Sequence, residues 1–184
     1  SFTASLYPAL SSYWHNNKEQ LSITFERSMN YLIIISLPIA FGIIILADKV
    51  VLLFKTGYAE AVLPLQITMA ALVFNFLNFA VGSLLNACDK QKANTINMAI
   101  VLILSVLMNL VLIPIFKATG ASLAVFATSL LMFILGMVIV PKVTSYNSKA
   151  ILKILFKTIL AVAAMGLSVY CLKNRFNIFL VSLV

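Results

Sequence analysis

Charge is what this sequence has least of. Only 10% of its 184 residues are Asp, Glu, Lys or Arg, against 62% hydrophobic residues and a mean hydropathy of +1.08. That balance excludes an ordinary soluble domain and falls in the membrane range. Acids are scarcest, with five against thirteen Lys and Arg. With a single His as well, no Ser/His/Asp set, paired carboxylate, metal cluster or phosphate-binding glycine loop is found, so neither an enzyme nor a cofactor is expected. The two cysteines, Cys88 and Cys171, fall at opposite membrane faces on the span count below and form no disulfide framework. No signal peptide is recognisable.

What the sequence does have is long runs without charge, over 28–47, 61–88, 93–116, 118–141 and 158–172, with a last apolar run at 176–184. A helix crosses the hydrocarbon core with about 20 residues. Four windows meet that length, and the fifth does so if Lys153 and Lys157 snorkel to the interface. The expectation is an all-α, polytopic transmembrane helical bundle of about five full spans plus a partial sixth. Residues 1–29 read as an interfacial, cytoplasmic-side linker after a missing span. Residues 30–140 read as a four-span core, and 141–184 as additional spans, the last truncated. The start at Ser1 and the end inside an apolar run suggest a fragment.

A net charge of +8 would suggest nucleic acid in a soluble chain. Here the charges sit between spans, where the positive-inside rule and anionic headgroups account for them, and no nucleic-acid partner is expected. The face holding Lys18, Arg27, Lys90, Lys92, Lys142, Lys149, Lys153 and Lys157 is the richer. The other holds Lys49, Lys55, Lys117, Lys173 and Arg175. This puts the Asp89–Lys92 loop and the Pro141–Lys157 stretch in the cytoplasm of a multi-pass cell-membrane protein. Membrane lipids are the expected partners of the Lys149–Lys153–Lys157 stripe.

Polar residues inside the spans are few and ordered. Pro64, Thr68, Ala71, Asn75, Asn78, Gly82 and Asn86 share one stripe at 100° per residue, opposite Val73, Leu77, Ala80 and Leu84. The spacing predicts a polar face turned to the bundle interior and a lipid face behind it. Asn75, Asn78, Asn86, Ser105, Asn109 and Thr128 are candidate cavity-lining residues, and equally candidates for hydrogen bonds that glue helices together. Gly120, Ala124 and Thr128 recur at i, i+4, i+8, a spacing that brings helix backbones close. Pro38 with Gly42 marks a kink that is a static bend or a hinge.

Several motifs in order carry a family resemblance. They are Tyr7-Pro8-Ala9-Leu10-Ser11, Leu37-Pro38-Ile39-Ala40-Phe41-Gly42, Val51-Leu52-Leu53-Phe54-Lys55-Thr56-Gly57-Tyr58, and Leu84-Leu85-Asn86-Ala87-Cys88-Asp89-Lys90-Gln91-Lys92. Met108-Asn109-Leu110-Val111-Leu112-Ile113-Pro114 and Thr119-Gly120-Ala121-Ser122-Leu123-Ala124 follow. Together they resemble the carboxy-terminal half of the prokaryotic polysaccharide, or lipid-linked oligosaccharide, flippases of the multidrug/oligosaccharidyl-lipid/polysaccharide exporter superfamily. The resemblance implies one lobe of a two-lobe alternating-access transporter whose partners are a polyprenyl-linked sugar, a coupling cation or proton, and an amino-terminal lobe missing here. Some relatives hold sodium with an Asn and an Asp one turn apart. Asn109 matches the first position, but Ile113 stands at the second and cannot ligate, so no metal site is expected. The alternatives are a drug/cation antiporter of the same superfamily, which needs an acid within a span, and an integral polyprenyl-dependent glycosyltransferase or polymerase fragment, which needs a large catalytic loop.

Overall fold

The computed structural model describes residues 2–54 and 59–181, with side chains placed over 6–51 and 60–168. The described residues form five helices and two short 3-10 turns, with no strand among them: α1 (Phe2–Asn16), α2 (Lys18–Phe54), α3 (Val62–Ala87), α4 (Gln91–Ile139) and α5 (Ser148–Val181). The expected Thr56-Gly57-Tyr58 turn lies outside the described residues.

Asn17 separates α1 from α2 and caps the latter, its side-chain oxygen accepting from the backbone N–H of Glu19 and Gln20 at 3.1 Å each. From Lys18 the helix runs 37 residues without interruption, through Pro38. Gln20–Arg27 and Lys49–Phe54 are therefore the two ends of one continuous helix. α5 continues unbroken to Val181 through Lys173, Asn174 and Arg175, because that stretch has no Gly or Pro to stop it.

Five spans come from four long helices because α4 folds back on itself. Lys117 sits at φ 51°, ψ −128°, a non-helical conformation inside the run. A Cβ placed on Gly120 would lie 2.1 Å from the Leu112 carbonyl oxygen, whereas eight residues of straight helix would put the two about 12 Å apart. The contacts with α3 agree. Asn86 meets Asn94 of the first arm, while Phe74 meets Phe126 and Asn78 meets Ser129 of the second. The first arm runs antiparallel to α3 and the second parallel to it. Pro114 loosens the helix just before the reversal, and Gly120 is required because only a residue without Cβ fits there.

One end of the bundle gathers the tightest packing. Leu10, Leu21, Phe25, Met29, Ile33, Leu84 and Leu85 are fully buried in one cluster from α1, α2 and α3, closed by Val140 and Val143. Trp14 donates its indole N–H to Asp89 at 3.2 Å, and the Lys18 ammonium lies 4.9 Å from the Trp14 ring centre. Ser22 donates to the Ser145 carbonyl, and Glu26 accepts from the Asn147 N–H at 2.6 Å. The segments near 17, 89 and 145 thus share one end, as the charge count grouped them. Leu77, Ala80 and Leu84, expected to face lipid, are buried in this cluster. The apolar side of α3 packs on protein because α1 and α2 cover it. The exposed apolar surface lies instead on α4, whose most apolar stretch buries none of its residues.

Asp89 ends α3 at φ 59°, and the Lys90 N–H reaches back to the Leu85 carbonyl at 2.9 Å, the bond of a Schellman cap. Just beyond α3, Cys88 is fully buried. Burial, and after it the Asp89 carboxylate, push its thiol from 9.0 up to about 11, with Lys18 opposing.

Three outcomes follow from this packing. Gly120→Ala should destabilise the hairpin by about 3 kcal/mol or more, since backbone cannot yield to the new methyl. Lys117→Gly should stabilise it by about 1 kcal/mol by relieving a positive φ. SDS-denaturation midpoints check both. In a Cys171→Ser background, Cys88 should resist iodoacetamide at pH 8, where only about one thiol in a thousand is ionised. Because its folded pKa is raised, the stability contributed by the neutral thiol is full below 9.0 and lost as pH rises through about 11.

Candidate functional site

The asparagine stripe of α3 faces α4, and most of it is engaged there. Asn78 donates its amide to the Ser129 backbone carbonyl at 2.9 Å, and the Ser129 hydroxyl donates to the Asn75 side-chain oxygen at 2.8 Å. One residue from the end of α3, Asn86 accepts from the Asn94 amide at 3.0 Å. These bonds link α3 to both arms of α4. Gly82 lies between them, with the Asn94 amide at 3.8 Å from where a Cβ would stand. Asn75 differs from its neighbours in exposure: with Thr68 and Phe79 it forms an open line along α3, while Asn78 and Asn86 are half-buried.

Thr128 is buried, and its hydroxyl donates to its own helix at Ala124 (2.7 Å), so it makes no cross-helix bond. With Gly120 and Ala124 it forms a fully packed small-residue stripe. Every buried residue of α4 is small or polar: Asn94, Asn97, Gly120, Ser122, Ala124, Thr128, Ser129 and Gly136. Its large aliphatic residues, among them Leu102, Ile103, Leu110 and Val111, point outward.

Ser105 and Asn109 are held apart from the α3 stripe. Asn109 donates to the Ser105 carbonyl at 2.7 Å, a bond within the helix. Both line an open groove of about 390 Å³ on α4 with Val106, Leu110, Ile113 and Pro114. They are the polar floor of an otherwise apolar surface. Ile113 is 44% exposed on that same groove and offers no ligand oxygen beside Asn109. Among the described residues no group of three His, Cys, Asp or Glu side chains comes together.

Pro38 and Gly42 lie on the α5 side of α2. Pro38 lines a lateral groove with Lys157 and Thr158, and Gly42 faces the methyl end of Met165. α2 passes Pro38 without a break in its helix.

The structure therefore brings Asn75 and Asn78 together through Ser129, pairs Ser105 with Asn109, and leaves Asn86, Thr128, Pro38 and Gly42 in separate places. Sequence reasoning overlooked Asn94 and Asn97, both buried, and Gln66, whose amide reaches across to the Ile44 carbonyl at 3.1 Å. The i, i+3 spacing of Asn94 and Asn97 at the start of an apolar span was the signal available for the first two.

No family model matches the chain, and no curated protein matches it. Among solved structures it is similar to the lipid II flippase MurJ in its inward closed conformation. That likeness has a TM-score of 0.74 at 15% identity and covers 91% of this chain and 37% of that chain. The chain thus spans well under half the length of the flippase it matches. The likeness is one of fold: the chain is a multi-pass helical membrane protein built like part of a flippase.

Proposed function

We propose that this chain is one lobe of a transporter that flips lipid-linked oligosaccharide across the cytoplasmic membrane. The carrying observation is the shared fold, which extends over 91% of the chain. In this reading the lobe rocks against a second one as substrate binding shifts the population between inward-open and outward-open states. The sugar head passes between the lobes while its lipid tail stays in the bilayer. The loop Asp89–Lys92 and the stretch from Pro141 lie on the cytoplasmic side, as their lysines favour, and the stretch enters the bundle with α5 before it reaches Lys157.

The chemistry available to a sugar is limited and specific. Asn78 and Asn86 are committed to packing and Asn75 gives its side-chain oxygen to Ser129, which leaves the exposed amide N–H of Asn75 and the Ser105–Asn109 floor as the groups that offer hydrogen bonds to hydroxyls. None of these carries charge, so this lobe recognises hydroxyl groups and the second lobe supplies cations for a pyrophosphate. A cationic drug would need an acid deep in a span, and the acids of α2, Glu19, Glu26 and Asp48, lie toward its two ends. That makes the antiporter reading the weaker one. A glycosyltransferase is disfavoured by the short connections at 88–90 and 143–147.

The test is translocation of a fluorescent polyprenyl-pyrophosphate-linked sugar in proteoliposomes holding the complete transporter. Flipping without sugar transfer supports the proposal; sugar transfer without flipping overturns it. Within that assay, Ser105→Ala with Asn109→Leu should lower the flipping rate about tenfold at unchanged denaturation midpoint. Asn78→Leu should instead lower the midpoint, by about 1 kcal/mol.

A further inference from the structure

A second groove, of about 400 Å³, opens sideways between α2 and α5. Its walls are Ile34 and Pro38 on one side and Ile154, Ala161, Val162 and Met165 on the other, with Lys157 and Thr158 as its polar members. The Thr158 hydroxyl is already bonded to the Ile154 carbonyl at 2.9 Å. The remaining polar group is the Lys157 ammonium.

The register sets the depth of that lysine. α5 starts beside Glu26 of α2, through the Asn147 N–H, and Lys157 comes level with Ile34 and Pro38. Ile34 is seven residues past Arg27, the last charge before the apolar run, or about 10 Å along the helix. A lysine at that depth is costly unless something compensates it. Two features do so. Side chains on a helix lean toward its N-terminus, so Lys157 leans toward Lys153 and the bundle end. Pro38 also removes the helical donor of the Ile34 carbonyl, leaving an acceptor dipole in the same groove.

What the groove lacks is an anion. The five acids of the chain are Glu19, Glu26, Asp48, Glu60 and Asp89, and none lines it. From Ile154 to Met165 it extends eleven residues of helix, about 16 Å, with the cation near one end and only apolar atoms beyond. That is the shape and polarity of one fatty-acyl chain under a phosphate.

We propose that the α2–α5 groove is a binding site for an anionic phospholipid, one acyl chain lying along Ala161 to Met165 and the phosphate held by Lys157 and Lys153. The site rests on the membrane reading of the chain and not on its being a flippase lobe. A polyprenyl carrier has a chain several times the length of the groove and fits it less well.

The test uses the full-length protein that carries this chain, in phosphatidylcholine nanodiscs containing a minor fraction of phosphatidylglycerol that bears a photoactivatable diazirine in mid-chain. Cross-links are mapped by mass spectrometry. The expected result is labelling concentrated on 38–42 and 161–165, above that of the exposed Ile134 and Val138 of α4. Lys157→Gln should cut it about fivefold, and Lys153→Gln by a similar factor. Ala161→Trp, which fills the groove, should abolish it, with gel filtration confirming the fold of each variant. Labelling as dense on α4 as in the groove would overturn the site. So would equal labelling by a phosphatidylcholine probe, or indifference to both lysine substitutions. Displacement by equimolar polyprenyl phosphate would overturn the phospholipid as occupant. None of these readouts depends on flipping, so failure here leaves the transport proposal standing.

Discussion

The constraint on which the structure depends is that helices surrounded by lipid gain little from hiding their aliphatic side chains. They associate through close backbone approach and through polar groups that have no water to bond instead. α4 shows this plainly. It is the most apolar long helix of the chain, yet its buried residues are all small or polar and its leucines and isoleucines face outward. Gly136 lies so near Val81 of α3 that an added Cβ would be 2.5 Å from the valine methyl, and Asn75, Asn78 and Asn86 supply the bonds beside that contact.

The opposite end of the logic appears where α1, α2 and α3 meet. There Leu10, Leu21, Phe25 and Leu84 form an apolar core like that of a soluble protein. Polar clasps ring it: Trp14 with Asp89, Ser22 with Ser145, and Glu26 with Asn147. This is the end richest in lysine, and it fixes three chain segments that are far apart in sequence. The bundle is therefore firm at one end, while along α4 it depends on a narrow polar seam.

Much of this was legible in the sequence. Charge-free windows gave the spans, and Lys117 to Gly120 gave the reversal because a charge, a proline and a glycine cluster there. The polar stripe of α3 was legible as a periodicity, but its partner was not. Periodicity reports that a face is distinct; it does not say whether Asn78 meets a carbonyl or a sugar. The face behind the stripe was misjudged for a related reason: in a membrane protein Leu77 and Leu84 read alike whether they meet lipid or Phe25. Lys157 was half legible: the fifth span needed it as a snorkelling lysine, but only the register against α2 places it beside Pro38.

The central claim is that hydrogen bonds between α3 and α4 hold the lobe together. A double-mutant cycle on Asn75 and Ser129 measures this directly, with Asn75→Leu, Ser129→Ala and the pair unfolded in SDS. The account predicts a coupling energy of about 0.6 to 1.7 kcal/mol, the range of interhelical side-chain bonds in membranes. Strictly additive effects of the two substitutions would contradict it.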